Sequence, residues 1–250
     1  STWAQQGVVL EGYDGPVVPG INMCYLPMDS MTIENTWFVS GMQGTGSDTA
    51  IAKDVFIPDA QMALMDERAG QIDRTKRHFG APSDLLPAVP VVRTTGIAQL
   101  LGAVEAMLEI VAAEAPKKPV LTTFMTPRTN SGAYMRDLGE VAAKLDTAKV
   151  ILFDLTAKLD RVGLGEEFSL AEKARHRAAG AQMIELIHGA RESLMFLAGS
   201  SAFSLDKPIN RYWRDVSMGV RHIQNIPTIG YEIYGRSTTD ADPISPPGSY

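Results

Sequence analysis

The stretch Leu138–Val162 reads LGEVAAKLDTAKVILFDLTAKLDRV, and its apolar side chains alternate spacings of three and four residues without a break. An α-helix has about 3.6 residues per turn, so these spacings place one apolar stripe along a long helix. A stripe of this kind is typical of the seam of an antiparallel helical bundle. Its residues are Leu138, Val141, Leu145, Ala148, Leu152, Leu155, Leu159 and Val162.

Three further helices are predicted around this stretch. The stripe of the preceding helix consists of Ile97, Leu100, Val104, Met107 and Val111. The stripe of the following helix consists of Met183, Ile187, Ala190, Leu194 and Leu197. That helix is predicted to stop at Gly199, because glycine is a common C-terminal stop. The last helix lies in RYWRDVSMGVRHIQNIPTIGYEIYGR, Arg211–Arg236, and the sequence therefore predicts a four-helix bundle over residues 86–236.

The beginning of the chain has a different period. Four short runs rich in β-branched and aromatic residues, GVVLEGY, NMCYL, TWFVSG and AIAKDVFIP, are separated by Gly, Pro and Asp. They predict strands and turns over residues 1–85, ending in a linker rich in charge, Gly and Pro. Residues 237–250 are polar and proline-rich, which predicts an extended tail. The predicted fold class is α+β, with part of an antiparallel β-domain followed by the four-helix bundle.

Composition narrows the possible partners and the compartment. The 250 residues are 45% hydrophobic with a formal net charge of −6, so the chain can bury a sizeable core and carries no basic stripe for nucleic acid. No polybasic run and no apolar run of membrane-spanning length is identified, so no membrane partner is predicted. The single cysteine, Cys24, lies in the apolar run INMCYLPM, where a buried thiol is expected. One cysteine forms no internal disulfide, and the prediction is a cytoplasmic protein.

Several kinds of site find no support in the sequence. The histidines are His78, His176, His188 and His222. They have no metal-ligand spacing among themselves or with Cys24, and HExxH and CxxC do not occur, so no metal site is predicted. The GTGS run at Gly44–Ser47 lacks the lysine of a P-loop and is expected to be a turn between strands. No GxSxG motif supports a serine hydrolase.

A helical wheel divides the last helix into two faces. The apolar face consists of Ile209, Trp213, Val216, Val220 and Ile223. A second strip holds Arg211, Asp215 and His222, with Gly219 leaving a shallow gap where a flat ligand fits. Two interpretations are open: the strip faces a ligand, or it is a solvated or interface face on which Asp215 pairs with Arg211. Pro227 is expected to kink or end this helix and to re-aim TIGYEIYGR as a candidate lid.

Two motifs carry a family resemblance. TWFVSGMQGTGSDTAIAKDVFIPDAQM resembles the second half of the β-domain of acyl-CoA dehydrogenase-fold proteins, with G-M-[RQ]-G-T-G-S followed by V-F-[IV]-P. GSSAFSLDKPINRYWRDVSMGVRHIQNIPTIGYEIYGR is similar to the end of the flavin-dependent monooxygenase branch, with R-x-W-R-D and a later R-H. Dehydrogenases of this fold carry a catalytic Glu in a Y-E-G-T-like segment, which this chain lacks; Glu232 is the nearest carboxylate. The resemblance therefore implies a two-component, group D type oxygenase and covers its C-terminal two-thirds.

The resemblance implies a concrete activity. A separate flavin reductase would deliver reduced FMN or FAD by diffusion, and O2 as co-substrate would form a C4a-hydroperoxide that hydroxylates a small, aromatic or phenolic, substrate. The implied assembly is a homotetramer. N- or S-oxygenation on the same scaffold, and an acyl-CoA dehydrogenase-like oxidation, stay open as alternatives.

The resemblance also assigns site residues. His222 is the implied catalytic residue, either donating a hydrogen bond to the hydroperoxide or taking a phenolic proton. Arg128 is implied to contact the flavin phosphate of a neighbouring subunit, with a solvated loop charge as the alternative. The other implied flavin contacts are Gly199, Ser200, Ser201, Thr2 and Trp3. The implied substrate contacts are Gly219, Tyr231 and Tyr234, although tyrosines at a bundle edge also serve packing.

Relatives of this fold usually begin with an N-terminal helical domain and the first half of the β-domain, and this sequence starts inside that β-domain. Three explanations are open: a fragment of a longer chain, a partner subunit that supplies the rest, or a degenerate relative. A fragment is expected, because Ser1 falls where an unpaired strand edge and an uncovered sheet face would otherwise result.

Overall fold

The computed structural model describes residues 2–8, 22–64, 81 and 85–245. These residues form two compact units. The β unit takes the described residues of 1–39, 43–80 and 244–250, and the helical unit takes those of 40–42 and 81–243. The predicted α+β class is confirmed. The predicted linker lies mostly outside the described residues, as do most of GVVLEGY and the end of the predicted tail.

The β unit contains two small antiparallel sheets. In the first, β2 (Asn22–Pro27) lies between β1 (Trp3–Val8) and β5 (Met62–Leu64). In the second, β3 (Thr32–Glu34) pairs with β4 (Thr49–Ile51). Cys24 faces Gln6 on one side and Met62 on the other and is fully buried. Its burial confirms the prediction of a structural thiol.

The predicted strand at TWFVSG is wrong. Oδ1 of Asp48 accepts the backbone N–H groups of Thr36 and Trp37, each at 2.9 Å. These donors are therefore bound by a side chain instead of a neighbouring strand. The GTGS run does form a turn, as predicted, with a short 3-10 helix at Gln43–Thr45 and a positive φ of 56° at Gly46. In AIAKDVFIP only the first two residues belong to a strand.

The helical unit contains five α-helices in its described residues. They are α1 (Ala88–Glu114), α2 (Gly132–Gly163), α3 (Leu170–Ala198), α4 (Pro208–Gly219) and α5 (Pro227–Thr238). The predicted apolar stripes of α1 and α3, with the α2 stripe as far as Leu155, form one continuous core. Ile209 and Val216 of α4, and Val220 directly after it, belong to the same core. At the end of α3, Gly199 adopts a positive φ of 84°, which confirms the predicted stop.

The last predicted helix is two helices. α4 ends at Gly219, whose carbonyl accepts the side-chain amide of Asn225 at 2.9 Å. The chain then makes a short 3-10 helix at Ile223–Asn225, and Pro227 begins α5. Ile223, expected on the buried face, is 57% exposed. The wheel failed here because it continued a helical rotation past the residue where the helix stops.

α5 is part of the bundle and not a lid. It packs against α3, and a Cβ added to Gly230 would lie 2.9 Å from Cβ of Ala181 and 3.2 Å from the carbonyl oxygen of Arg177. This approach requires glycine at position 230. Among the described residues the bundle thus contains five α-helices where the sequence predicted four, and the last of them extends to Thr238.

The sequence analysis identified no apolar run of membrane-spanning length, and α1 contradicts that expectation. By length and composition this helix is apolar enough to cross a membrane. Such a finding is weak evidence for a membrane span, because the core helix of a soluble protein passes the same test. Its buried residues, including Ile97, Val104 and Met107, lie in the bundle core.

A cluster of charges fixes the hairpin between α2 and α3. Nζ of Lys158 lies 2.5 Å from Glu166 and 2.7 Å from Glu172, and it also donates to the carbonyl of Glu167. Glu172 closes a capping box with Ser169 at the start of α3. Lys158, followed by the backbone and hydroxyl groups of Ser169, lowers the pKa of Glu172 from its usual value of 4.5 to about 2.

The pKa of Glu172 predicts a pH dependence of stability. Because the pKa is lower in the folded chain, the carboxylate contributes stability that is complete above the unfolded pKa and is lost as the pH falls towards about 2. We expect Glu172→Gln, which can keep the capping box, to lower the urea midpoint at about pH 7 and to lower it less at about pH 3. The exposed neighbour Glu167→Gln is the control, and an equal deficit of Glu172→Gln at both pH values would contradict the prediction.

Candidate functional site

His222 lies in the turn between α4 and α5, and its side chain is exposed. Its backbone is extended and it caps the 3-10 helix Ile223–Asn225. Nδ1 accepts the backbone N–H of Gln224 at 3.2 Å. Since a backbone N–H only donates, Nδ1 carries no proton in this arrangement, and the neutral ring carries its proton on Nε2. His222 therefore presents an N–H donor to its surroundings.

The turn that carries His222 is held by backbone and side-chain bonds. The N–H of His222 donates to the carbonyl of Gly219 at 3.1 Å, and the N–H of Asn225 donates to the carbonyl of His222 at 2.7 Å. The buried side chain of Asn225 donates to the same Gly219 carbonyl. The sequence analysis missed Asn225; an amide residue three positions after a histidine gives no signal until the end of the helix is known.

The structure places Gly219 in the core and leaves no gap beside it. A Cβ at this position would lie 2.4 Å from Cδ2 of Leu100 on α1. The space predicted for a flat ligand is thus filled by a side chain from another helix. The gap was the geometric reason for predicting a substrate contact at Gly219, and the structure does not contain it.

Asp215 does not pair with Arg211. Its Oδ1 accepts the backbone N–H of Met42 at 2.6 Å, while the guanidinium of Arg211 lies over the ring of Tyr212. Arg214 donates to the carbonyl of Ser40 at 2.8 Å. Arg214 and Asp215 of the RYWRD motif therefore hold the segment Ser40–Met42 on α4.

Arg128 lies at a cavity of about 470 Å³, here called the Arg128 pocket. The cavity is bounded by the loop after α1, the start of α2 and the end of α3. Its lining includes Val120, Leu121, Arg128, Tyr134, Phe196 and Leu197. Nη1 of Arg128 donates to the carbonyl of Leu197 at 3.0 Å, and Nε donates to the carbonyl of Pro119 at 3.2 Å. Sequence reasoning identified Arg128 but missed the aromatic walls, Tyr134 and Phe196.

The charge of Arg128 is held without a carboxylate partner among the described residues. Two acidic residues also line the pocket, but Asp137 is paired with Arg136, and Glu140 with Arg136 and Lys144. Arg128 is the cation in this lining, and both of its bonded nitrogens contact neutral carbonyls. The guanidinium lies over the ring of Tyr134, and its Nη2 makes no hydrogen bond to the described residues, so Nη2 can donate to an anionic acceptor.

Gly199, Ser200 and Ser201 lie next to this pocket in the chain. Gly199 turns the backbone out of α3, and Ser200 and Ser201 begin a short 3-10 helix, with their side chains exposed. Arg128 binds the carbonyl of Leu197, two residues before Gly199. The structure thus brings Arg128 to the end of α3, where the three predicted flavin contacts begin.

The remaining predicted residues lie elsewhere. The hydroxyl of Tyr231 donates to Glu185 at 2.7 Å, and burial, with this carboxylate, raises its pKa. Tyr231 is therefore fixed on the surface of α3. Tyr234 is about one-third exposed on α5. Thr2 and Trp3 belong to the β unit, with Trp3 in β1. Within the described residues no group of three or more His, Cys, Asp or Glu side chains forms a metal site.

The five-helix bundle and small antiparallel sheets define the C-terminal part of an acyl-CoA dehydrogenase-like protein. The sequence matches the family described as Acyl-CoA dehydrogenase, C-terminal domain, over residues 94–227, which is more than half of the chain. The chain belongs to this family.

Individual relatives are oxygenases. The chain is 27% identical over 221 residues to the flavin-dependent monooxygenase oxygenase subunit HsaA of Mycobacterium tuberculosis, covering 84% of this chain and 54% of HsaA. It is 26% identical over 231 residues to the FADH2-dependent resorcinol hydroxylase oxygenase component of a Rhizobium species, covering 87% and 56%. The structure of XiaF from Streptomyces sp., in complex with FADH2 and glycerol, superimposes with a TM-score of 0.82 at 26% identity, covering 90% and 57%. The chain spans about half the length of these curated relatives.

Proposed function

We propose that this chain belongs to the oxygenase component of a two-component flavin-dependent monooxygenase that hydroxylates a small phenolic or other aromatic substrate through a flavin C4a-hydroperoxide. In this reaction reduced flavin supplies two electrons, and O2 supplies one atom to the substrate and one to water. The observation that carries the proposal is His222, held with Nε2–H outward in the turn after α4. The names of HsaA and of the resorcinol hydroxylase support the reaction class.

His222 acts as a hydrogen-bond donor in this proposal. Because the N–H of Gln224 occupies Nδ1, the neutral ring offers Nε2–H and has no free basic nitrogen. This favours donation to the oxygen that is transferred over removal of a phenolic proton. A donor fixed in advance stabilises developing negative charge without reorganisation during the reaction.

Arg128 is proposed to bind a phosphate of reduced FMN or FAD, together with the turn Gly199–Ser201. Arginine matches the geometry of phosphate, and Tyr134 and Phe196 give the pocket the aromatic walls that a flavin nucleotide contacts. The side chain of Phe196 is 85% exposed, and Phe124, in the loop after α1, is fully exposed. Packing of a second subunit over these residues would exclude water from the pocket, as expected for the proposed homotetramer.

The dehydrogenase alternative shares the family and the fold, but the described residues assign it no catalytic base. Glu232, the nearest carboxylate in the sequence, lies on α5 and pairs with Arg236 at 2.9 Å. A base for removing a proton next to a thioester is not assigned by this arrangement. N- and S-oxygenation stay open, and the reductase partner, cytoplasmic location and lack of nucleic-acid and membrane partners stay predictions.

A rapid-mixing experiment tests the proposed function. Full-length protein is mixed anaerobically with reduced FMN or FAD and then with O2 and a phenol such as resorcinol. We expect a transient C4a-adduct absorbance and a product that carries ¹⁸O from ¹⁸O2. The monooxygenase proposal would be rejected if bound flavin were oxidised at the rate of free flavin and every phenol, amine and sulfide tested gave hydrogen peroxide in place of an oxygenated product.

A further inference from the structure

Two arginines and a histidine form a buried polar group near the His222 turn. Arg93 on α1 and His176 and Arg177 on α3 are each less than one-tenth exposed. Nη2 of Arg93 donates to Nδ1 of His176 at 3.1 Å. In the described part of the chain, no carboxylate forms an ion pair with either arginine. Buried guanidinium groups without a carboxylate depend strongly on the neutral acceptors that remain.

The acceptor of Arg177 belongs to the turn that carries His222. Nη1 of Arg177 donates to the backbone carbonyl of Gln224. The N–H of the same residue, Gln224, donates to Nδ1 of His222. One residue of the turn therefore connects a buried charge on α3 to the imidazole, and the turn also contacts α1 and α3.

We propose that Arg177 is a positioning residue for His222: by binding the carbonyl of Gln224 it holds the N–H of Gln224 on Nδ1 and keeps the proton of the neutral ring on Nε2. The inference rests on the proposed function for its catalytic consequence, but the position of the proton is independent of catalysis.

The energetic reason is the burial of the guanidinium. If the turn moves away, the charge of Arg177 stays inside the bundle. Its guanidinium then loses the hydrogen bond to the carbonyl of Gln224. Burial lowers the pKa of Arg177, and burial together with the charge of Arg177 lowers the pKa of Arg93 to about 9. Release of the turn would therefore leave the buried guanidinium of Arg177 without the carbonyl of Gln224 as an acceptor.

The first readout is the tautomer of His222. We expect ¹⁵N-histidine spectra of the full-length protein, assigned by difference from His222→Gln, to give an unprotonated Nδ1 and a protonated Nε2 in the wild type. Arg177→Met removes the donor at similar length, and we expect a mixture of both tautomers. Arg177→Lys keeps a positively charged N–H donor and is expected to restore most of the wild-type signal. Arg175→Met, an exposed arginine on the same helix, is the matched control.

The second readout is product formed per reduced flavin consumed. We expect Arg177→Met to lower this yield about 10- to 100-fold. Without Arg177 the turn no longer holds His222 in the position that the reaction needs. In the His222→Gln background, Arg177→Met should cause no further loss. A further loss in that background, or an unchanged His222 tautomer in folded Arg177→Met, would overturn the proposal.

A second variant covers the case in which Arg177→Met does not fold. Asn225→Ala removes the amide that binds the carbonyl of Gly219, but this carbonyl keeps the N–H of His222 as a donor. Arg177 also keeps the carbonyl of Gln224, so no buried charge loses its acceptor. It should mix the tautomers in the same direction, and a folded Asn225→Ala with the wild-type tautomer would overturn the positioning of His222 by its turn. If wild-type protein shows the expected tautomer but forms no oxygenated product, the proposed function fails and the positioning role stands.

Discussion

His222→Ala is expected to lower the yield of oxygenated product at least ~100-fold while changing the affinity for reduced flavin by less than about threefold. Alanine removes the Nε2–H donor that the Gln224 N–H fixes in place. The loss falls on a step in which charge develops on oxygen and not on the binding of flavin. The measurements are product per reduced flavin under O2 and the dissociation constant for reduced flavin without O2.

His222→Gln separates the two roles considered for the imidazole. The glutamine amide can donate a hydrogen bond but cannot titrate, so a donor role predicts an intermediate loss of about tenfold. A loss equal to that of alanine would assign proton transfer instead and overturn the donor role. His188→Gln, at an exposed histidine whose Nδ1 accepts from Arg191, keeps a side-chain acceptor for that arginine; it is the control and should leave the yield unchanged.

Arg128→Met is expected to give the opposite pattern. A lost charge-assisted bond to phosphate should raise the dissociation constant for reduced flavin about tenfold or more and leave the product per bound flavin unchanged. If His222→Ala raised the dissociation constant for reduced flavin and left the product per bound flavin unchanged, as expected for Arg128→Met, His222 would be a binding residue. Its catalytic role would then be rejected.

The bundle was predictable because its signal is local and repeated. The stripe from Leu138 to Val162 recurs over many turns, and the same core residues are buried in the structure. The end of α4 was not predictable in the same way. Gly219 to His222 continue an acceptable wheel pattern, and the helix stops there because Asn225 takes the Gly219 carbonyl. This bond and the bond from the N–H of His222 to the same carbonyl fix the position of the candidate catalytic residue.

Contacts between distant residues explain the other differences. The gap expected at Gly219 is occupied by Leu100 from α1, and a wheel drawn for one helix contains no information about its neighbours. Asp215 appeared to pair with Arg211 because the two lie four residues apart. Its actual partner, Met42, is 173 positions away in the sequence. Family resemblance identified Arg128 and His222, whose types and positions are recognisable without those contacts.

Gly41→Ala is expected to lower the free energy of unfolding by about 1–3 kcal/mol, the usual range for a group forced into filled space. A Cβ at position 41 would lie 2.2 Å from the carbonyl oxygen of Arg214 and 2.6 Å from its carbonyl carbon. These are backbone atoms of α4, so no side-chain rotation relieves the clash. Chemical denaturation of the wild type and the variant measures the difference.

Gly44→Ala is the control for this prediction because it lies in the same GMQGTG run. A Cβ there meets no atom within 4 Å, so the free energy of unfolding should change by less than about 0.5 kcal/mol. If Gly41→Ala and Gly44→Ala had equal effects, the close approach of Gly41 to α4 would be rejected.

Asp215→Asn provides a second check, since it keeps an acceptor for the N–H of Met42 but removes the charge. The close approach of Gly41 to α4 and the bond from Met42 to Asp215 hold the same segment. Gly41→Ala and Asp215→Asn together should therefore destabilise by less than the sum of their separate effects.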